Sequence, residues 1–145
     1  MKIRAAELQD APEIARLSGE LGYSAEPEVI AQRLEMLLRN TSDKVLVVES
    51  SDGTVLGWVH GYLSQLIESN YRVEIGGLVV TANARREGIG RRLITEIETW
   101  AKERGAMELS VRCRADREEA HRFYEQLGFA CLKTQKVFRK QVVIE

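Results

Sequence analysis

The sequence is poor in the residues that build metal centres, disulfide frameworks and membrane spans. Among 145 residues there are two cysteines, Cys113 and Cys131, and two histidines, His60 and His121. Neither pair has the spacing of a ligand set, so no metal is expected. No apolar run approaches the length of a membrane span, and the opening MKIRAAELQD lacks the apolar core of an export signal. The cysteines are therefore expected as free thiols in a reducing cytoplasm. There is no charge surplus either: 21 Lys and Arg stand against 22 Asp and Glu, a formal net charge of -1. That balance gives no general attraction for nucleic acid. Repeats, low-complexity runs and Pro/Gly/Ser-rich linkers are also missing, so residues 1–145 are expected to form one domain.

What the chain does have is a dense run between Arg72 and Gly105: a β-rich segment RVEIGGLVV, a polar TANA, a turn RREGIG, and a long amphipathic stretch. Two glycines one residue apart, Gly88 and Gly90, let the backbone pass close to a bulky group and aim N–H donors at it. A helix start follows directly, where the first N–H groups have no internal partner and the dipole is positive. Arg85, Arg86, Arg91 and Arg92 surround the same point. The combination predicts a phosphate site suited to a pyrophosphate. It is neither the dinucleotide fingerprint, which needs a third glycine, nor a P-loop, which needs Gly-Lys-Ser/Thr. A turn that merely reverses the chain remains the plain alternative.

Periodicity orders the rest. A short strand is expected at Ile3–Ala6. Asp10, with Glu13 three residues on, resembles a capping box for a helix with Ile14, Leu17, Ser18 and Leu21 on one face. A second helix starts near Pro27 and carries Ile30, Leu34, Leu37 and Leu38. Strands follow at Lys44–Glu49, Val55–Leu66 and Arg72–Val80, joined too tightly for crossovers and hence antiparallel. The helix after the glycine turn has the stripe Ile89, Leu93, Ile97, Trp100, Ala101 and leads to a strand at Met107–Val111, parallel to its predecessor. Asp116 is expected to cap a last helix with Ala120, Phe123, Tyr124 and Leu127 inward, and Phe129–Val143 to supply one or two final strands. The fold class is α/β (α+β): a mixed central sheet, antiparallel at its N-terminal side, with helices on both faces.

This order of elements, the motif Arg85-x-x-Gly88-x-Gly90 and the segment Ala120-His121-x-Phe123-Tyr124-x-x-x-Gly128-Phe129 together resemble the GNAT family of acyl-CoA-dependent N-acyltransferases. The resemblance covers essentially the whole chain. It implies acetyl-CoA as donor, a primary amine of a small molecule or protein as acceptor, and a strand pair, Arg72–Val80 and Met107–Val111, that splays apart around the pantetheine arm. It assigns pantetheine contacts to the backbone of Leu78, Val79 and Val80. The pyrophosphate falls to the turn Arg85, Arg86, Glu87, Gly88, Ile89, Gly90 and Arg91. Tyr124 is placed near the thioester sulfur. Many members hold the cofactor with an asparagine before the last helix; this chain has Arg114 and Arg117 there.

The chemistry asks for two further groups. Near neutral pH an alkylamine with a lysine-like pKa is unprotonated in only about one molecule in 10³. A base that removes the proton raises the reactive fraction. Glu74 is the candidate: strict alternation puts it on one face with Gly76, Leu78 and Val80, and a similarly placed glutamate is the base in the histone-modifying branch. Its plain alternative is an ion pair with Arg72. The departing thiolate needs a proton or hydrogen bond, which Tyr124 fits as general acid; plain core packing of Phe123-Tyr124 is the alternative. His60 and His121 are expected in packing or surface roles. A non-catalytic acyl-CoA-binding sensor would share the turn and the cleft but need neither Glu74 nor Tyr124. The acceptor's identity and a possible homodimer, through Val142-Val143-Ile144, stay open at this level.

Overall fold

A computed structural model describes residues 1–144. It has two compact units; the first is Met1–Arg112 and the second begins at Cys113. In the first unit the elements run β1 (Lys2–Ala5), α1 (Ala11–Glu20), α2 (Pro27–Arg39), β2 (Asp43–Glu49), β3 (Val55–Ser64), β4 (Arg72–Val80), α3 (Ile89–Glu103) and β5 (Glu108–Val111). The five strands form one sheet in the order β1-β2-β3-β4-β5. The first three pairings are antiparallel and the last, β4 with β5, is parallel. The expected mixed sheet is therefore present, with strand ends differing from the sequence reading by one or two residues.

Each face of the sheet is built from the alternation of its strands. Val45 and Val47 of β2, Trp58 of β3 and Val79 of β4 face one side, where Leu17 of α1 and Leu34 of α2 pack on them. The opposite face takes α3. Its stripe Ile89, Leu93, Ile97 and Trp100 repeats at helical spacing and is buried. There β3 offers glycine: side chains of Ile89 and Ile97 lie over Gly57 and Gly61. The apolar run Val45–Val48 has no solvated side, being wholly buried, as a central strand covered on both faces requires.

One register shift decides what the sheet presents. In the β3–β4 pair the partners slip between His60 and Gly61, so that Gly77 stands opposite His60 and Ile75 opposite Gly61, with Gly76 as the extra residue. This is a β-bulge, and it resets the phase of β4. Glu74 lies opposite Tyr62 and shares its face with Gly77 and Val79. The expectation that it shares a face with Leu78 and Val80 fails, because those two lie beyond the bulge and turn to the α3 side. The bulge needs small residues. A Cβ on Gly77 would come 2.6 Å from the Trp58 ring, and one on Gly76 3.0 Å from Nδ1 of His60. Gly77→Ala must push the partly buried indole aside, and we expect it to cost about 1–3 kcal/mol. Urea unfolding of the variant would read this as a lowered midpoint at constant slope; an unmoved midpoint would mean that Trp58 yields freely.

At the N-terminal end of α1 the sequence reading is corrected. Asp10 precedes the helix, but its side chain does not cap it. It closes a capping box with Glu7 around the 3-10 turn Leu8–Asp10, accepting the Glu7 N–H at 2.8 Å, and it takes two hydrogen bonds from Arg4 at 2.8 and 2.9 Å. The guanidinium on β1 is a stronger donor than a free helix N–H, and it claims the carboxylate.

The second unit holds α4 (Glu118–Gln126). Arg117 occupies its cap position without a side-chain bond, and Asp116 pairs with Arg114 at 2.9 Å, so the expected Asp116 cap is not formed. The one or two strands expected within Phe129–Val143 are not formed either: no residue from 129 to 144 is in a strand, and residues 130–144 are exposed throughout. A β-prone sequence becomes a strand only when another edge takes its backbone groups.

Candidate active site

The glycine turn lies between a 3-10 turn, Ala82–Ala84, and α3. Two residues in it take left-handed backbone angles: Gly88 at φ 79° and Arg86 at φ 72°. Glycine does this without strain, arginine does not, and such outliers concentrate where a loop is shaped for a ligand. Gly88 is the residue before α3, and no side chain caps the helix. Arg92 makes the first intrahelical bond, its N–H donating to the Gly88 carbonyl at 3.1 Å. The N–H groups of Ile89, Gly90 and Arg91 therefore precede the first bond, and no acceptor among the described residues meets them. Arg85, Arg86 and Arg91 are exposed around them, while Ile89 anchors the turn in the core. The residues fit a pyrophosphate: three donors at one turn, a positive helix end and exposed cations around them.

The turn is held from behind by a residue absent from the sequence reading. Glu20, at the end of α1, accepts the Ala82 N–H at 3.0 Å and the Thr81 hydroxyl at 3.2 Å. These hydrogen bonds lower its pKa, that from Ala82 most. The two lie 62 positions apart, and nothing local in the sequence signals the contact. Arg85 ties the turn to the strand end as well, its Nε donating to the Val80 carbonyl at 3.3 Å.

The β4–β5 ladder ends at the pair Ile75–Val111, whereas β4 continues to Val80. The expected parting of these strands is present in that form: over Gly76–Val80 the β5 side of β4 carries no strand partner among the described residues. Leu78 and Val80 are half-buried along it, and Val79 is in the core. An open strand edge thus runs from the turn back to the bulge.

Glu74 stands just before the bulge, only 8% exposed. Tyr62 is its cross-strand partner, and His60 lies over Gly76 on the same face. Arg72 Nε is 3.9 Å from the Glu74 carboxylate and, although buried, has no hydrogen-bond partner among the described residues. The pair is thus too long for a hydrogen bond and leaves the carboxylate available. His60 is fixed by Asp43, at 2.7 Å from Nε2, which turns Nδ1 toward the bulge. Asp43 was not singled out from sequence; it enters the cluster because β2 and β3 pair.

Tyr124 belongs to the second unit. Its ring meets Phe123 and Phe129 edge-on, with centroids 5.0 and 5.4 Å away. Burial pushes the phenol up to about 12, with the Cys113 sulfur adding to the rise and Arg117 opposing it. His121 is structural here, its Nε2–H directed to the Arg114 carbonyl at 2.8 Å. Arg114 is taken by Asp116 at 2.9 Å.

Comparison with known proteins adds the decisive finding: the model of the Acetyltransferase (GNAT) family matches residues 8–129. The chain belongs to this family. It is an acetyltransferase, and the family draws its acyl group from acetyl-CoA. Among curated relatives, the "Uncharacterized N-acetyltransferase YhdJ" of Bacillus subtilis (strain 168) is 29% identical over 128 residues, covering 87% of each chain. An "Aminoglycoside N(6')-acetyltransferase type 1" of Acinetobacter genomosp. 13 is 23% identical over 79% of this chain and 82% of its own. Among solved structures, the tetramutant of the BH1408 protein from Bacillus halodurans superposes with a TM-score of 0.81 at 26% identity, covering 97% of this chain and 100% of that one. AAC(6')-Iy, solved with a bisubstrate analog of CoA and acetylneamine, has a TM-score of 0.84 at 17% identity, over 97% and 98% of the two chains, and so shares the fold.

Proposed function

We propose that residues 1–145 act as one N-acetyltransferase domain that moves acetyl from acetyl-CoA to the primary amine of a small molecule, by direct attack in a ternary complex. The family match runs across both compact units, which supports a single functional domain. The observation that carries the reading is the open edge of β4, leading from three unpartnered N–H groups at the start of α3 to a buried carboxylate at the bulge. A diphosphate on the turn directs an extended pantetheine arm along Val80, Val79 and Leu78, and the acyl group then arrives beside Glu74. The turn residues Arg85, Arg86, Glu87, Gly88, Ile89, Gly90 and Arg91 hold the phosphates.

In the reaction Glu74 takes a proton from the ammonium, directly or through water. The amine nitrogen bonds the carbonyl carbon and gives up its second proton to solvent, the C–S bond breaks, and the electron pair leaves on sulfur, where Tyr124 provides a hydrogen bond and solvent supplies the proton that completes the thiol. An N–H of Leu78 or Val80 polarises the thioester carbonyl. For the acceptor, the aminoglycoside acetyltransferases among the relatives support a small polar amine, and Glu74 and Asp43 supply negative charge on the face where it would bind. We place the reaction in the cytoplasm, in keeping with the free thiols Cys113 and Cys131.

The test is an acetyl-CoA-dependent screen of amines, aminoglycosides included, reading released thiol, alongside calorimetric titration with CoA. Turnover with any amine supports the proposal. CoA binding without turnover across the panel supports the non-catalytic sensor. Glu74→Gln is expected to lower kcat/KM by about tenfold at neutral pH and to flatten its rise with pH; a profile of unchanged shape would take the base role away from Glu74.

A further inference from the structure

The sheet face that α1 and α2 cover is apolar along Val45, Val47, Trp58 and Val79, and it turns polar beyond them. Asp43 lies opposite Tyr62, and Tyr62 opposite Glu74, so β2, β3 and β4 each bring an ionisable group to one row. His60 stands beside that row, its ring centroid 5.6 Å from that of Tyr62. Its Nε2 is 2.7 Å from Asp43 Oδ1. An ionised carboxylate only accepts, so Nε2 carries the hydrogen and Nδ1 of the neutral ring is a bare lone pair. Nδ1 has no hydrogen-bond partner among the described residues and is not sealed from solvent. It lies over Gly76, the extra residue of the bulge, where a Cβ would come 3.0 Å from it. Glycine at that position keeps the space before Nδ1 open. A mere tie between β2 and β3 would use Nε2 and leave Nδ1 unexplained.

Acetyl transfer to an ammonium removes two protons from nitrogen, since the ammonium has three N–H bonds and the amide one. Glu74 takes the first, before attack, and once protonated it has no capacity for another. When the N–C bond has formed, the nitrogen is cationic again, and an adduct that keeps its extra proton can expel the amine and return to substrates. We infer that His60 receives this second proton on Nδ1 and hands it to solvent, while Asp43 holds the ring in the accepting tautomer and stabilises the imidazolium. The N–H electron pair stays on nitrogen, the C–S pair leaves on sulfur, and sulfur takes a proton from solvent. Each ammonium and thioester thus give one amide, one thiol and one released proton. Glu74 and His60 come from neighbouring strands and flank the bulge where the open edge of β4 begins, so both can face one nitrogen. The inference rests on the acetyl-transfer reading and adds to it the route of the second proton.

Heteronuclear NMR of the imidazole nitrogens in the native chain is expected to show neutral His60 with Nε2 protonated and Nδ1 bare; the reverse tautomer overturns the inference whatever the turnover. With an amine that the native chain acetylates, His60→Gln is expected to lower kcat by about tenfold, with the KM of each substrate kept within about twofold. It should also remove the rise of kcat across the range in which imidazoles titrate, about pH 5–8. The other ionisable groups on this face are Asp43, Tyr62, Arg72, Glu74 and, on β5, Glu108. Carboxyl, phenol and guanidinium groups as classes titrate outside that range. Asp43→Asn should lower kcat as well and disturb the tautomer. Circular dichroism checks each fold, and His60→Asn replaces His60→Gln if the latter does not fold. An unchanged kcat, or a lowered one with the native pH shape, overturns the inference and leaves acetyl transfer standing. A native chain that turns over no amine overturns the transfer reading, and the inference with it.

Discussion

Tyr124→Phe is expected to reduce kcat by about a hundredfold while leaving the Kd for acetyl-CoA unchanged. The substitution removes one oxygen and keeps the ring, so the edge contacts with Phe123 and Phe129 persist and the helix stays folded. The raised pKa, about 12, specifies the kind of help the phenol gives. A thiol has a pKa of about 8.5, so full proton transfer from such a phenol to a thiolate runs uphill. In the proposed reaction Tyr124 would therefore act as a neutral hydrogen-bond donor to the sulfur as charge builds on it, with solvent completing the protonation. That interaction exists in the transition state and not with the bound thioester, which is why kcat falls and binding does not. There is a matching expectation in pH: a phenol that stays protonated well above pH 10 produces no alkaline fall in kcat. Full activity of the phenylalanine variant would remove Tyr124 from the chemistry. A descending limb near pH 10 that vanishes in the variant would show a phenol of ordinary pKa.

What could be read from the sequence is what short segments decide by themselves. The glycine turn is one such case: its glycines, the arginines around it and the helix start that follows are set by adjacent residues, and α3 begins directly after Gly88 as expected. The stripe of α3 and the parallel step to β5 follow from periodicity and connection length in the same way. Strand alternation failed at Gly76 because a bulge belongs to a pair of strands, and β3 sets where β4 slips. The consequence reaches the candidate base, whose face is Tyr62, Gly77 and Val79 in place of Leu78 and Val80. Glu20 and Asp43 were illegible for a related reason: each matters through a partner far along the chain, Ala82 for one and His60 for the other. The final strands show the limit most plainly. Their composition is that of strands, but a strand also needs an edge to take its backbone groups, and residues 129–144 pair with none among the described residues.

Asp10→Ala is expected to lower the unfolding free energy by about 3 kcal/mol, the lower end of the range for breaking a buried ion pair. Asp10 is 4% exposed and serves three donors, two on Arg4 and the Glu7 N–H. Removing it leaves a part-buried guanidinium still held by Glu49 at 3.1 Å and partly wetted, which keeps the loss from being larger. Against a typical total of about 5–15 kcal/mol, that is enough to unfold a sizeable fraction on modest heating. The Arg4 hydrogen bonds hold the Asp10 carboxyl below its ordinary pKa, against the opposing effect of burial. A carboxylate depressed in the folded state contributes in full above its unfolded value near 3.9, and that contribution is lost as pH falls through the folded value. The native chain should therefore lose stability in acid more steeply than Asp10→Ala, and the two should converge at low pH. Urea titrations at a series of pH values down into acid would show the narrowing gap. Parallel curves would mean that the carboxylate is no more stabilised in the folded chain than in the unfolded one, and an equal midpoint at neutral pH would show that water replaces the pair at no cost.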